Sequence, residues 1–172
     1  MRWRVLIDYK LEGSMLRKLY FDIDGTLLGL GTGDPKPALA RGGFEAAIRR
    51  AQVDLLVCVG NFCHVVEMVK SVDPDYDGLG IVFSLCRGVF ADEEWFRRVT
   101  TLVVDPEHRA SAVNFSGDWW YVDDLAEQFF DRAGLQDVFR NQVGYRICAP
   151  QPDGSGDDML QWVENIAKLP RG

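Results

Sequence analysis

Leu19-Tyr20-Phe21-Asp22-Ile23-Asp24-Gly25-Thr26-Leu27-Leu28 is the stretch whose reading decides the fold. Leu19 to Ile23 is a short, mainly apolar run that ends in the turn signal Asp-Gly-Thr. A run of that length bounded by a turn fits a strand covered on both faces, where both rows of side chains meet protein. The expectation is a buried parallel strand that delivers two carboxylates at its C-terminal end.

Working downstream, Leu27 to Ala40 places two small apolar patches around a Gly/Asp/Pro turn, which predicts a hairpin. Residues 43–51 predict a helix with Phe44, Ala47, Ile48 and Ala51 on one face. Val53 to Val59 reads as a second buried strand ending at Gly60-Asn61, with a helix from Cys63 to Val72 and a polar loop from Ser71 to Gly80. A third strand is expected at Ile81–Leu85, a short helix at Asp92–Arg98, a brief strand at Thr101–Val104 and a helical stretch at Pro106–Val113. Asp118 to Asp124 holds another strand, Leu125–Ala133 a helix stopped by Gly134, Gln142–Ala149 a last strand, and Asp157–Leu169 a last amphipathic helix. Strands alternating with helices predict an α/β fold, a three-layer Rossmannoid sandwich with a mainly parallel sheet. Upstream, residues 1–14 read as an extension in which Trp3–Ile7 is either an extra edge strand or unstructured, and 15–172 as a single domain.

The 172 residues carry 47% apolar and 26% charged side chains with a net charge of −7, which fits one globular unit with a real core. Excess negative charge repels polyanions, so neither nucleic acid nor an anionic membrane is expected as a partner. No stretch has the length to span a bilayer, and the N-terminal apolar run stops at Asp8, unlike a secretory leader. Cys58, Cys63, Cys86 and Cys148 lack CxxC spacing and sit among apolar neighbours, which points to reduced, buried thiols in a cytoplasmic protein. Cys63-His64 lacks further ligands at zinc spacing. Gly29-Leu30-Gly31-Thr32-Gly33 lacks the GxGxxG spacing of a dinucleotide loop and fits a hairpin turn better. Asp73, Asp75 and Asp77 lack the closing Glu of a calcium loop. His64, His108 and Arg109 read, on composition alone, as solvated side chains, and Trp119-Trp120-Tyr121 as core strand, the alternative being one exposed Trp beside a ligand or partner surface.

Ligands of open parallel sheets bind beyond the C-terminal strand ends, where strand order reverses. Two strands here end in paired acids, Asp22/Asp24 and Asp123/Asp124. Should those strands be neighbours, several carboxylates converge, an arrangement that calls for a hard cation such as Mg²⁺.

The segment Leu19–Leu28, a hydrophobic strand followed by DxDGT, resembles the first motif of the haloacid dehalogenase (HAD) superfamily of phosphohydrolases. Residues 29–37 stand where that family has its squiggle and flap, and Asp123-Asp124 resembles its fourth motif. The resemblance implies a Mg²⁺-dependent phosphomonoester phosphatase. It makes Asp22 the nucleophile that forms an aspartyl-phosphate, and Asp24 the general acid and base, whose backbone carbonyl also binds the metal. It makes Gly25 and Thr26 part of a phosphate-holding turn and Asp123 a metal ligand. Asp124 is either a second ligand or an outer partner. Two motifs depart from the family. Gly60 stands where a Ser or Thr hydroxyl is expected, leaving the Gly60 N–H or the Asn61 amide as substitutes. No lysine lies between Lys70 and Lys168; of the available cations Arg97, Arg98 and Arg109, the last lies on the segment leading into the last catalytic strand and is the candidate phosphate-binding residue. Each lost charge-assisted donor costs about 2–4 kcal/mol in a transition state, so the alternative is a weak or inactive HAD-like protein that binds a phosphorylated ligand or a protein partner. The chain has no room for a sizeable cap. In the family, an open site goes with a macromolecular or bulky substrate, or with a homo-oligomer whose neighbour forms the lid; the expected partner is a small phosphorylated substrate or a phosphoprotein.

Overall fold

Arg17–Phe21 forms the central strand β1, two residues upstream of the sequence expectation. The shift has a local cause: the Ile23 carbonyl accepts N–H groups from Thr26, Leu27 and Leu28 at 3.3, 2.9 and 2.9 Å. Ile23 therefore belongs to the turn and Asp22 is the last residue held to the sheet, its N–H donating to Val122 O at 3.0 Å. The protein is described as a computed structural model covering residues 15–64, 66–67, 88–90, 98–101 and 105–171.

The other strands are β2 (Leu55–Cys58), β3 (Thr100–Thr101), β4 (Asp118–Val122) and β5 (Ile147–Cys148), all parallel, in the order β3-β2-β1-β4-β5. β1 is flanked by β2 on one side and β4 on the other, so strand order reverses at β1 and leaves a crevice between the C-terminal ends of β1 and β4. The register pairs Phe21 with Val122, which brings Asp22 level with Asp123.

One face of the sheet (Leu19, Phe21, Leu56, Trp120, Val122) packs on helices α1 (Gly43–Arg50) and α4 (Asp157–Ala167), through Phe44, Ala47 and Ile48 and through Met159, Trp162, Val163 and Ile166. The other face (Tyr20, Val57, Trp119, Tyr121, Ile147) packs on a 3-10 helix (Pro106–Ala112), on α2 (Ala126–Arg132) and on α3 (Gln136–Gln142). The fold is thus α/β with, among the described residues, a five-stranded, all-parallel sheet between two helical layers, a three-layer Rossmann-like sandwich. Each large apolar side chain so buried contributes about 1.5–3 kcal/mol before ordering costs. Trp119, Trp120 and Tyr121 are all buried, so neither Trp offers a surface.

The hairpin over 27–40 is present: Gly29 N–H donates to Asp34 O at 2.9 Å and Lys36 N–H to Leu27 O at 3.0 Å. It is fastened to the loop after β5, where Lys36 Nζ donates to Gln151 O at 2.6 Å and Ala38 N–H to Ser155 O at 3.0 Å. Two expectations need correction. The segment Pro106–Ala112 is a 3-10 helix, capped by Asp105 Oδ1 at Glu107 N–H and interrupted by His108 at φ −110° and ψ 16°. Gln142 ends α3 instead of opening a strand, and β5 is only Ile147–Cys148. The α3 helix escapes a periodicity search because none of its residues is fully buried; Val138 and Phe139 only half-cover the Phe130 side of the core. The expected strand 81–85, helix 92–98, calcium-like loop, Cys86 and extension 1–14 lie outside the described residues. Among the described residues no helix is long and apolar enough to cross a membrane.

Candidate active site

Parallel pairing of β1 with β4 places Asp22 and the Asp123-Asp124 pair at adjoining strand ends. One carboxylate oxygen from each of Asp22, Asp123 and Asp124 lies within 4.8 Å of the others. Asp22 and Asp123 are buried and Asp124 is half-buried. The three acids that the sequence reading paired across a hundred residues do meet.

Their surroundings differ. Asp123 is saturated with donors: Leu125 N–H to Oδ1 at 2.9 Å, Tyr121 Oη to Oδ2 at 2.9 Å, and Arg109 Nη1 to Oδ2 at 3.3 Å. Asp124 accepts the Thr26 hydroxyl at 3.3 Å, and its own N–H donates to Thr26 Oγ1 at 3.0 Å. Thr26, buried, therefore ties the first acidic turn to the second. Gly25 has φ +74°, and a β-carbon there would come within 2.6 Å of Asp124 Oδ2, so this position needs glycine for both turn and space. Asp24 stands apart from the acidic trio. It is half-buried, and its Oδ1 accepts Gly31 N–H from the hairpin at 3.1 Å.

Arg109 departs most from the sequence reading. It is buried, not solvated. Nη1 bridges Asp22 Oδ1 at 3.2 Å and Asp123 Oδ2 at 3.3 Å, Nε donates to Pro106 O at 2.9 Å, and the guanidinium carbon lies 3.6 Å from the centroid of the Phe129 ring. Gly60 is buried beside it, whereas Asn61 is exposed and makes no hydrogen bond to the acidic cluster. His64 and His108 are exposed, His108 paired with Asp105 at 3.5 Å. Tyr121 and Phe129 were not among the sequence-derived candidates. Tyr121 carried a signal, because it stands two residues before Asp123 and so shares its side of the strand. Phe129 carried none, since its contact with Arg109 joins two separate helices.

The electrostatics follow from three carboxylates sharing one guanidinium. Burial first, then the Asp123 charge, pushes the Asp22 carboxyl well above its usual range, with Arg109 opposing. Burial also raises Asp123 against Arg109, and raises Asp124 against the Thr26 hydrogen bond. The Tyr121 hydroxyl is raised well above its usual value by burial and then by the Asp123 charge. The site thus holds more negative charge than it compensates, and an oxygen-only donor set of this kind fits a hard divalent cation.

Comparison of the chain with protein-family models, curated proteins and solved structures finds no match.

Proposed function

We propose that this chain is a Mg²⁺-dependent phosphohydrolase of the haloacid dehalogenase type, acting on a phosphomonoester through Asp22. The observation that carries the reading is the meeting of Asp22 with Asp123 and Asp124 at the reversal point of the sheet, within 4.8 Å and under-compensated. Asp22, Asp123 and Asp124 would hold the metal, with the Asp24 carbonyl. Bound there, Mg²⁺ supplies charge neutralisation between a carboxylate nucleophile and the phosphoryl oxygens. An Asp22 oxygen attacks phosphorus and the bond to the leaving oxygen breaks, that oxygen taking its proton from Asp24. Water then attacks the aspartyl-phosphate, Asp24 accepts the water's proton, and phosphate leaves with Asp22 restored. Gly25 and Thr26 shape the turn against the acids, and Arg109 is the cation at hand for the phosphoryl group.

A second reading, a binding protein without turnover, draws on the bridge from Arg109 to Asp22 and Asp123, which already supplies part of the missing positive charge from within the chain. Hydrolysis of an aryl phosphate with and without Mg²⁺, in wild type and in Asp22→Asn, separates them. The hydrolase reading expects Mg²⁺-dependent turnover that Asp22→Asn lowers by roughly three powers of ten or more. Equal rates in the two proteins would leave the binding reading.

A further inference from the structure

The second strand ends in glycine where the resemblance expects a hydroxyl, and the reason is steric. Gly60 is buried at φ +90°, and a β-carbon there would overlap Asp22 Oδ1 and lie 2.5 Å from Arg109 Nη1. The space that a serine or threonine side chain needs is taken by the guanidinium and the carboxylate it holds. Arg109 is fixed in that space from two other directions, by the Pro106 carbonyl on Nε and by the Phe129 ring under its plane. Its side chain is 6% exposed, yet Nη2 donates to no protein acceptor among the described residues. A nearly buried guanidinium, shared by two carboxylates through Nη1 and pinned beside a carboxylate nucleophile candidate, still has its Nη2 N–H groups to offer an anion.

We propose that Arg109 is the oxyanion-binding residue of this site and that Gly60 is its steric complement, so that one guanidinium replaces both the missing second-strand hydroxyl and the missing lysine. A planar fork suits two oxygens of a tetrahedral dianion, and a guanidinium held in advance loses little freedom on binding it. The identity of the anion as a phosphoryl group rests on the phosphohydrolase reading; the steric pairing of residues 60 and 109 does not. The consequence is competition for one volume: a side chain at 60 forces Asp22 Oδ1 and Arg109 Nη1 to shift.

A double-mutant cycle tests this with Gly60→Ser, Arg109→Ala and the double variant. The thermal midpoint is measured without ligand, and the affinity for inorganic phosphate with Mg²⁺ by calorimetry. Gly60→Ser alone is expected to lower the midpoint, and Arg109→Ala alone to weaken phosphate by at least about tenfold. In the double variant the serine should cost clearly less stability than it does beside Arg109, and phosphate affinity should exceed that of Arg109→Ala. Arg109→Lys, which keeps a cation between Asp22 and Asp123, covers the case in which the alanine variant fails to fold. It should fold and still bind phosphate several-fold more weakly, because an ammonium lacks the fork. An equal cost of serine in both backgrounds overturns the steric pairing. Phosphate affinity unchanged in Arg109→Ala or Arg109→Lys overturns the oxyanion role, as does a wild type that binds no phosphate. That last result also counts against the phosphohydrolase reading but leaves the stability cycle to judge the pairing by itself.

Discussion

The two ends of the β1–β4 pair each bury an arginine against aspartate, and they are built to opposite purposes. At the N-terminal end Arg17 donates through Nε to Asp118 Oδ2 at 2.7 Å. Its Nη1 donates to Ala51 O at 2.8 Å and Ile166 O at 3.2 Å, and its Nη2 to Pro170 O at 3.3 Å. Ala51 caps the C-terminal end of α1 and Ile166 lies in the last turn of α4, so the cation also meets the negative ends of two helices. Asp118 is completed by Trp120 Nε1 at 2.7 Å. Every strong group there has a partner, and Arg146 also approaches Asp118 at 3.7 Å, so no negative charge is left over. At the C-terminal end the Arg109 guanidinium, with the Lys36 ammonium acting on Asp124, faces three carboxylates, and all three carboxyls are shifted towards protonation. A saturated buried pair holds structure together; on the proposed function, the charge left over at the other end is matched by a cation the chain does not supply.

The comparison breaks most visibly at Arg17. Arg17→Met strands Asp118 and several carbonyls in the core, and the expected loss is about 3–5 kcal/mol in urea unfolding. A loss below about 1 kcal/mol would mean that the N-terminal end is not the structural clamp described here.

The opposite sign is expected at the other end. Without divalent cation, Asp22→Asn removes a surplus charge and leaves the Arg109–Asp123 pair intact, so stability should rise by on the order of 1 kcal/mol at pH 7. The pH dependence sharpens the point. Asp22 and Asp123 hold protons in the folded chain at pH values where the unfolded chain, near the ordinary value of 3.8, has released them. Their contribution to stability is therefore intact below that value and is lost as pH rises through the raised folded values. The gap between the thermal midpoints of Asp22→Asn and wild type should widen from pH 4 to 7 and close when Mg²⁺ is added. A gap independent of pH would show that the cluster is already compensated.

A last effect concerns a thiol beside that end of the sheet. Cys148, on β5, has its thiol pushed up to about 12, by burial and then by Asp158. A higher value leaves less thiolate at a given pH, so iodoacetamide should alkylate Cys148 at pH 8 at least about a hundredfold more slowly than a free thiol. Peptide mass spectrometry reads this directly, and labelling at the free-thiol rate would put Cys148 outside that environment.

The helical face of α1 and the two-sided burial of β1 were readable in the sequence because both are local periodicities, Phe44–Ala47–Ile48 at helical spacing and an unbroken apolar strand from Leu19 to Phe21. The α3 helix was not, because a helix that only half-covers another layer has no apolar stripe to announce it. Candidate residues divide in the same way. Asp22, Asp24, Asp123 and Asp124 follow strand ends and are visible as motifs, while Arg109 reads as a surface residue, and its burial comes from Asp22, Gly60, Asp123 and Phe129 closing around it.

The amino-acid order alone determined that apolar strands alternate with helices and that carboxylates close two of them, since strand burial and turn chemistry are set by neighbours along the chain. Only the tertiary structure decided that β1 and β4 are adjacent and that Gly60 yields its space to Arg109. Those outcomes depend on strand order and on side chains about 50 or more residues apart competing for one volume, and no local pattern encodes such a competition.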